Sequence, residues 1–103
     1  MNHVNLIGKV CSTPKILEMD NGRRIARFTL TTQERFLDRN GEMKTRSHWH
    51  RLSAWGNWVR VCEELVVEGT ELAVQGSLVS RFYSSGKTRR FSAEVEVNDL
   101  TIL

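Results

Sequence analysis

The side chains with the most chemical potential stand together in Ser47-His48-Trp49-His50-Arg51-Leu52-Ser53-Ala54-Trp55-Gly56. Read with a period of two, Trp49, Arg51, Ser53 and Trp55 share one face, and His48, His50, Leu52 and Ala54 share the other. The aromatic content and the closing Gly56 favour a strand over a helix. Leu52 and Ala54 then suit a core, and the opposite face carries two indoles with a guanidinium between them. Such a surface matches unpaired nucleobases, which stack on aromatic rings while cations meet their phosphates. The alternative is that both indoles are core and Arg51 runs past them to solvent.

Charge along the chain points the same way. Residues 23–60 hold nine basic side chains (Arg23, Arg24, Arg27, Arg35, Arg39, Lys44, Arg46, Arg51, Arg60) against three acidic ones. Residues 81–90 add Arg81, Lys87, Arg89 and Arg90 without an acid, whereas residues 61–80 carry Glu63, Glu64, Glu68 and Glu71 without a base. A basic face attracts phosphate; a solvated surface whose signs happen to cluster is the alternative. Phe36, flanked by Arg35 and Arg39, is a further candidate for stacking.

Other chemistries find little support. Cys11 and Cys62 are too few and too distant for a zinc framework or a redox dithiol, and both read as small buried hydrophobes. His48 and His50 share a strand face, but no cysteine or carboxylate cluster joins them, so no metal and no cofactor is expected. No nucleophile–base pair or phosphate loop stands out, so an enzyme is not expected. With no secretory signal and no apolar run of about 20 residues, the expectation is a cytoplasmic protein away from membranes.

The elements that must position these residues follow from the pattern. At 103 residues the chain is expected to form one domain, 1–103. Val4 to Val10 opens it as a strand, Pro14 breaks the run, and Lys15 to Met19 is a short second one. Asp20-Asn21-Gly22 makes a tight turn. Ala26, Phe28 and Leu30 then point inward and Arg27, Thr29 and Thr31 outward. Gln33 to Arg46, with Asn40-Gly41 near its middle, reads as a long, basic, mobile hairpin arm leading into the central strand. Asn57 is placed to cap a helix with Trp58, Val61, Cys62 and Leu65 as its apolar stripe and Gly69 as its stop. A strand through Leu72, Val74, Gly76 and Leu78 runs on to Arg81-Phe82-Tyr83 and returns from Arg90 to Val97. The fold class is therefore all-β: a five-stranded Greek-key OB-fold barrel with one helix between the third and fourth strands.

With that order in place, the chain resembles the bacterial single-stranded DNA-binding protein family along nearly its whole length. The resemblance rests on Asn2-His3-Val4-Asn5-Leu6-Ile7-Gly8, Thr13-Pro14, Phe28-Thr29-Leu30-Thr31-Thr32, Glu34-Arg35-Phe36 and Trp49-His50-Arg51. It continues from Gly69-Thr70-Glu71-Leu72 through Gln75-Gly76-Ser77-Leu78. It implies sequence-independent binding of single-stranded DNA in replication, recombination and repair, with Phe36, Trp49, Trp55 and Tyr83 as stacking residues. Arg35, Arg51, Arg81 and Arg89 are the expected phosphate contacts. It also implies a homotetramer formed through the first strand and its neighbours, with His50 near a subunit contact, or a dimer. Replication and repair proteins are possible partners.

Two departures from the family pattern matter. The family continues past the barrel into a Gly/Pro-rich linker with an acidic, apolar tip, and this sequence stops at Leu103. It corresponds either to a domain separated from its tail or to a tail-less relative such as a primosomal OB protein, which mainly bridges replication proteins. Phe82 and Trp58 are also bulkier than the pattern expects. An OB barrel used only for protein–protein assembly is the remaining alternative.

Overall fold

Alternating apolar residues and their turn signals fold into β1 (Val4–Val10), β2 (Lys15–Glu18), β3 (Arg24–Leu37) and β4 (Met43–Trp55), then α1 (Asn57–Leu65), β5 (Glu71–Ser85) and β6 (Thr88–Ile102). The computed structural model describes residues 1–103, apart from the side chains of Arg81, Tyr83, Ser84 and Ser85.

The sheet order is β1-β5-β6-β4-β3-β2, and an extra β1–β3 pairing brings its ends together. Five long strands thus close a barrel, with the short β2 added along β3, and the helix lies between the third and fourth of them. All pairings are antiparallel except β4–β6, which is parallel at Leu52↔Val95 and Ser53↔Glu96. Closure leaves the barrel itself without a free edge. The interior holds Ala26, Phe28, Leu30, Leu52, Ala54, Leu72 and Val74 among others, the inward positions of the expected alternation.

Two glycines let neighbouring strands approach at the barrel wall. A Cβ on Gly8 would collide with the carbonyl oxygen of Thr31, and one on Gly76 with that of Glu96. Beyond the wall both hairpins run on as two-stranded ribbons. β3 and β4 stay in register out to Leu37↔Met43, and β5 and β6 out to Ser85↔Thr88. The ribbons lengthen the molecule to 54 Å along its longest axis. Leu78, of the same parity as the buried Leu72 and Val74, lies at the start of the second ribbon and is exposed.

The first ribbon, expected as a long hairpin arm, is regularly paired out to its turn. Its turn is organised by Asp38, whose Oδ1 accepts hydrogen bonds from the backbone N–H of Asn40 and of Glu42, each at 2.9 Å. Lys44 pairs with the other carboxylate oxygen at 3.2 Å. The Glu42 amide foremost, with Lys44 and the Asn40 amide, holds the Asp38 carboxyl below its usual pKa.

The helix differs from expectation in three ways. Gly56, not Asn57, is its N-cap, and no side chain caps the first amides. It ends at Leu65, because Val66 turns extended and buries itself in the core, so Gly69 belongs to the following turn. Its buried stripe is Val59 and Cys62, continued by Val66, while Trp58 and Val61 pack at the margin and Leu65 is 57% exposed. Residues 58, 59, 61, 62, 65 and 66 are all apolar, so a shift of about one residue gives an equally good stripe. Burial pushes the Cys62 thiol up to about 11, which keeps it protonated and unreactive at neutral pH.

Candidate nucleic-acid interface

Pairing with β3 fixes which β4 side chains meet solvent. Trp49 lies opposite Thr31, Arg51 opposite Thr29, Ser53 opposite Arg27 and Trp55 opposite Ile25. These residues share the outer face, and Leu52, Ala54, Phe28 and Leu30 line the interior. Trp49 is 68% exposed on a regular strand, so its indole face is open. Arg51 is exposed beside it, as the alternation suggests. Trp55 is half-buried, and the cation over its ring is Arg23, with the guanidinium carbon 4.7 Å from the ring centroid.

At Arg51 the surface sinks into a cleft of about 350 Å³ lined by Ser12, Thr13, Lys15, Arg27, Phe28, Thr29, Arg51, Leu52 and Glu94. Lys15 is brought there by β2, which sets it opposite Arg27. Ser53 lies on this face yet is fully buried, with β3 paired on one side and β6 on the other. Among the described residues, Arg27 Nε and Ser53 Oγ are buried without a hydrogen-bond partner. Three cations, three hydroxyls and one carboxylate give the cleft a positive balance suited to an anionic oxygen group.

Phe36 stands apart from the indoles. The unbroken register puts it with Glu34, Arg46 and His48 on the ribbon face that continues the barrel interior, and Trp49 on the other. Its cation is neither Arg35 nor Arg39 but Arg46, the cross-strand diagonal neighbour, at 4.1 Å from the ring centroid. Arg35 is opposite Thr45, on the face of Trp49, and exposed. Along the Phe36 side a polar ladder runs back to the barrel. His48 Nε2 lies 2.8 Å from Glu34 Oε2, and His50 Nε2 lies 2.8 Å from Thr32 Oγ1. Burial first, and the neighbouring His48 second, push the His50 pKa down, so its imidazole is neutral at neutral pH.

The second ribbon carries a pair that the sequence pattern marks only as unexpected bulk. Phe82 faces Phe91 across β5 and β6, with ring centroids 5.6 Å apart and planes tilted by 60°. Arg89 lies over Phe82 at 4.7 Å instead of standing free as a phosphate contact. The side chains of Tyr83 and Arg81 lie outside the described residues; their backbones pair with Arg90 and Ser92.

The structure therefore gathers Trp49, Arg51 and Trp55 on one outer surface, with Arg35 further out along it, and places Phe36 and Arg89 elsewhere. Sequence reasoning missed Arg23, Arg46, Arg27 and Lys15. Two of these were within reach, since a turn at 38–42 sets Arg46 diagonal to Phe36 and the turn at 20–22 sets Lys15 opposite Arg27. Among the described residues, no group of three or more His, Cys, Asp or Glu could hold a metal ion, and no helix is long and apolar enough to cross a membrane.

Comparison with known proteins gives the same picture at the level of the whole chain. The model of the single-strand binding protein family matches residues 1–103. Single-stranded DNA-binding protein 1 of Chlorobaculum tepidum is 31% identical over 105 residues, an alignment that covers all of this chain and 65% of the relative. A solved structure of a Plasmodium falciparum SSB complex with ssDNA superposes with a TM-score of 0.90 at 32% identity, covering 100% of this chain and 95% of that one. A deletion variant of the single-stranded DNA binding protein from Thermus aquaticus shares the fold, with a TM-score of 0.89 at 23% identity over 100% of this chain and 50% of that one. The chain belongs to the single-strand binding protein family.

Proposed function

We propose that this member of the single-strand binding protein family binds single-stranded DNA without sequence preference and serves in DNA replication, recombination and repair. The observation that carries the reading is Trp49, which presents an open indole face on a regularly paired strand that also carries Arg51 at the basic cleft. A large exposed aromatic has no part in the core, and a base can cover it while its phosphate meets Arg51, Arg27 or Lys15. Trp55 and Phe36, each with a guanidinium over the ring, extend the stacking surface. Tyr83, Arg81, Arg35 and Arg89 belong to the same proposal through their positions on the two ribbons. The Plasmodium falciparum SSB solved with ssDNA supports the ligand class.

Assembly is part of the proposal. Ile7 on β1 is 70% exposed at the lip of a cleft formed with Gly8, Lys9, Thr31, Gln33 and Glu71, and a second copy would cover it. The expected assembly is a homotetramer or a dimer, with His50 close to the contact, acting in the cytoplasm with replication and repair proteins. Titration with oligo-dT followed by Trp fluorescence tests the binding, and sedimentation of the free protein tests the assembly. Saturable quenching with an oligomer mass is the expected result. Unchanged fluorescence together with no shift of the oligonucleotide would overturn the binding reading and leave a barrel used for assembly alone.

A further inference from the structure

We infer that Asn2 is a positioning residue whose side-chain amide clasps the root of the β5–β6 ribbon and fixes the direction in which that ribbon leaves the barrel. The clasp stands on geometry alone, and its effect on DNA rests on the binding proposed above. β1 covers β5 from Glu71 to Gly76, and its ladder stops at Val4. Leu78 lies two residues further along β5, beyond the last backbone partner that β1 supplies. Asn2 Nδ2 donates to the Leu78 carbonyl at 2.7 Å, and Asn2 Oδ1 accepts from the Leu78 N–H at 2.8 Å. One primary amide thus binds both polar groups of one residue, as a facing strand would, across 76 positions of sequence. Ionised aspartate has the same shape but lacks the donor.

The root is where the ribbon can change direction. Gln75 pairs with Asp99 and Gly76 with Val97, which leaves Asn98 as an extra residue on β6. Such a bulge bends and twists the strand that carries it. Past the bulge the ribbon loses its neighbours: β1 has ended, and β4 pairs with β6 only at Leu52↔Val95 and Ser53↔Glu96. Asn2 holds the ribbon from outside at this bend, while Asn98 Nδ2 donates to Ser77 Oγ at 3.2 Å within it. β4 and β6 are parallel and each is the second strand of its hairpin, so both ribbons leave the same end of the barrel. The direction of the second ribbon therefore sets the gap between the two. With it goes the ability of one DNA strand to meet Trp49 and the cations Lys87, Arg89 and Arg90 together. A ribbon fixed beforehand spares that strand the cost of ordering it.

The test uses Asn2→Asp and Asn2→Ala in the otherwise unchanged protein. Aspartate keeps the acceptor for the Leu78 N–H and sets a carboxylate oxygen against the Leu78 carbonyl, and alanine removes both bonds. Asn2 is exposed and precedes β1, so both variants keep the barrel, which thermal melts check. In the DNA-free protein, hydrogen exchange at the paired amides from Leu78 to Ala93 should quicken roughly tenfold or more in both variants. The amides of Leu30, Leu52 and Leu72 in the barrel should exchange as before. Affinity for an oligo-dT of about 30 nucleotides, longer than the site of one OB fold, should fall about threefold or more. Unchanged ribbon exchange overturns the clasp. Faster exchange throughout the barrel with a lower melting temperature also overturns it, by making Asn2 a general stabilising residue. Faster ribbon exchange at unchanged affinity overturns the positioning role. A shift in the sedimentation mass of either variant overturns the inference by assigning Asn2 to a contact between copies. Wild-type protein that fails to bind the oligo-dT overturns the proposed function instead, and exchange measured without DNA still decides the clasp.

Discussion

The two ribbons are rooted alike and charged differently. Near the base of each a glycine faces a backbone carbonyl, Gly8 of β1 against Thr31 of β3 and Gly76 of β5 against Glu96 of β6, and each ribbon carries a phenylalanine under an arginine from its partner strand. The β3–β4 ribbon contains Glu34, Asp38 and Glu42, and it spends His48 and Lys44 on internal pairs. The β5–β6 ribbon has no acid between 81 and 93 and no internal ion pair among the described residues. The first ribbon ties part of its charge into its own turn and ladder, and the second leaves Lys87, Arg89 and Arg90 outside any ion pair among the described residues.

The largest expected effects are on the shared roots. Gly8→Ala and Gly76→Ala should each destabilise the protein by about 1–3 kcal/mol or more, since a backbone carbonyl must move to admit the methyl group. Denaturant melts check this, and a neutral result at one glycine would show that the ribbons are not built on equivalent contacts. Next comes the surface at the base of the first ribbon. Trp49→Ala should weaken oligo-dT binding by about tenfold or more at unchanged stability. Trp58→Ala should instead lower stability by less than the roughly 3–5 kcal/mol of a fully buried aromatic, because its ring packs only at the margin of the core.

The contrast in charge is sharpened by salt. Replacing Lys87, Arg89 and Arg90 together by Gln should reduce the slope of log affinity against log salt by up to about 2, at roughly 0.7 for each phosphate no longer neutralised. The same treatment of Arg35, Arg39 and Lys44 should reduce it less, because Lys44 already has Asp38 as its counterion. Equal reductions would erase the distinction between the ribbons.

The smallest effect concerns pH. His50 has its pKa depressed in the folded protein below the ordinary 6.5, so the unfolded chain takes up the proton first. Its contribution to stability is complete above that value and declines as pH falls toward the folded pKa. His50→Gln should flatten this dependence in melts recorded on either side of 6.5, and an unchanged dependence would show that His50 is not its source.

The strands were legible where side chains report on one neighbour at a time. Ala26, Phe28 and Leu30 alternate with polar residues, and the barrel buries those three; Trp49 falls on the opposite parity to Leu52 and is exposed. The helix stripe was not, because six apolar residues in nine leave its phase open until Val66 finds the core. The site was legible in its residue types but not in its partnerships. Arg51 neighbours Trp49 and Trp55 in sequence parity, yet the guanidinium over Trp55 comes from Arg23, and that over Phe36 comes from the facing strand. Cross-strand register decides such pairs, and sequence distance does not. Nor does local pattern reveal the cleft, which needs Lys15, Arg27, Arg51 and Glu94 from four separate strands.

The antiparallel seam between β1 and β5 sets the order of events in folding. Val4 pairs with Gly76 and Lys9 with Glu71, whereas β1 touches the nearer β3 at only two positions. The first strand to be synthesised therefore waits for sixty or more further residues before its main partner exists. During that interval β3 and β4 can already zip from their turn, a local event on a microsecond scale. The barrel itself closes late and as a single step, the slow regime of topologies rich in distant contacts. Ile7 and its neighbours on β1 spend that time as an unpaired apolar edge, so early aggregation in a fresh chain is expected to start there.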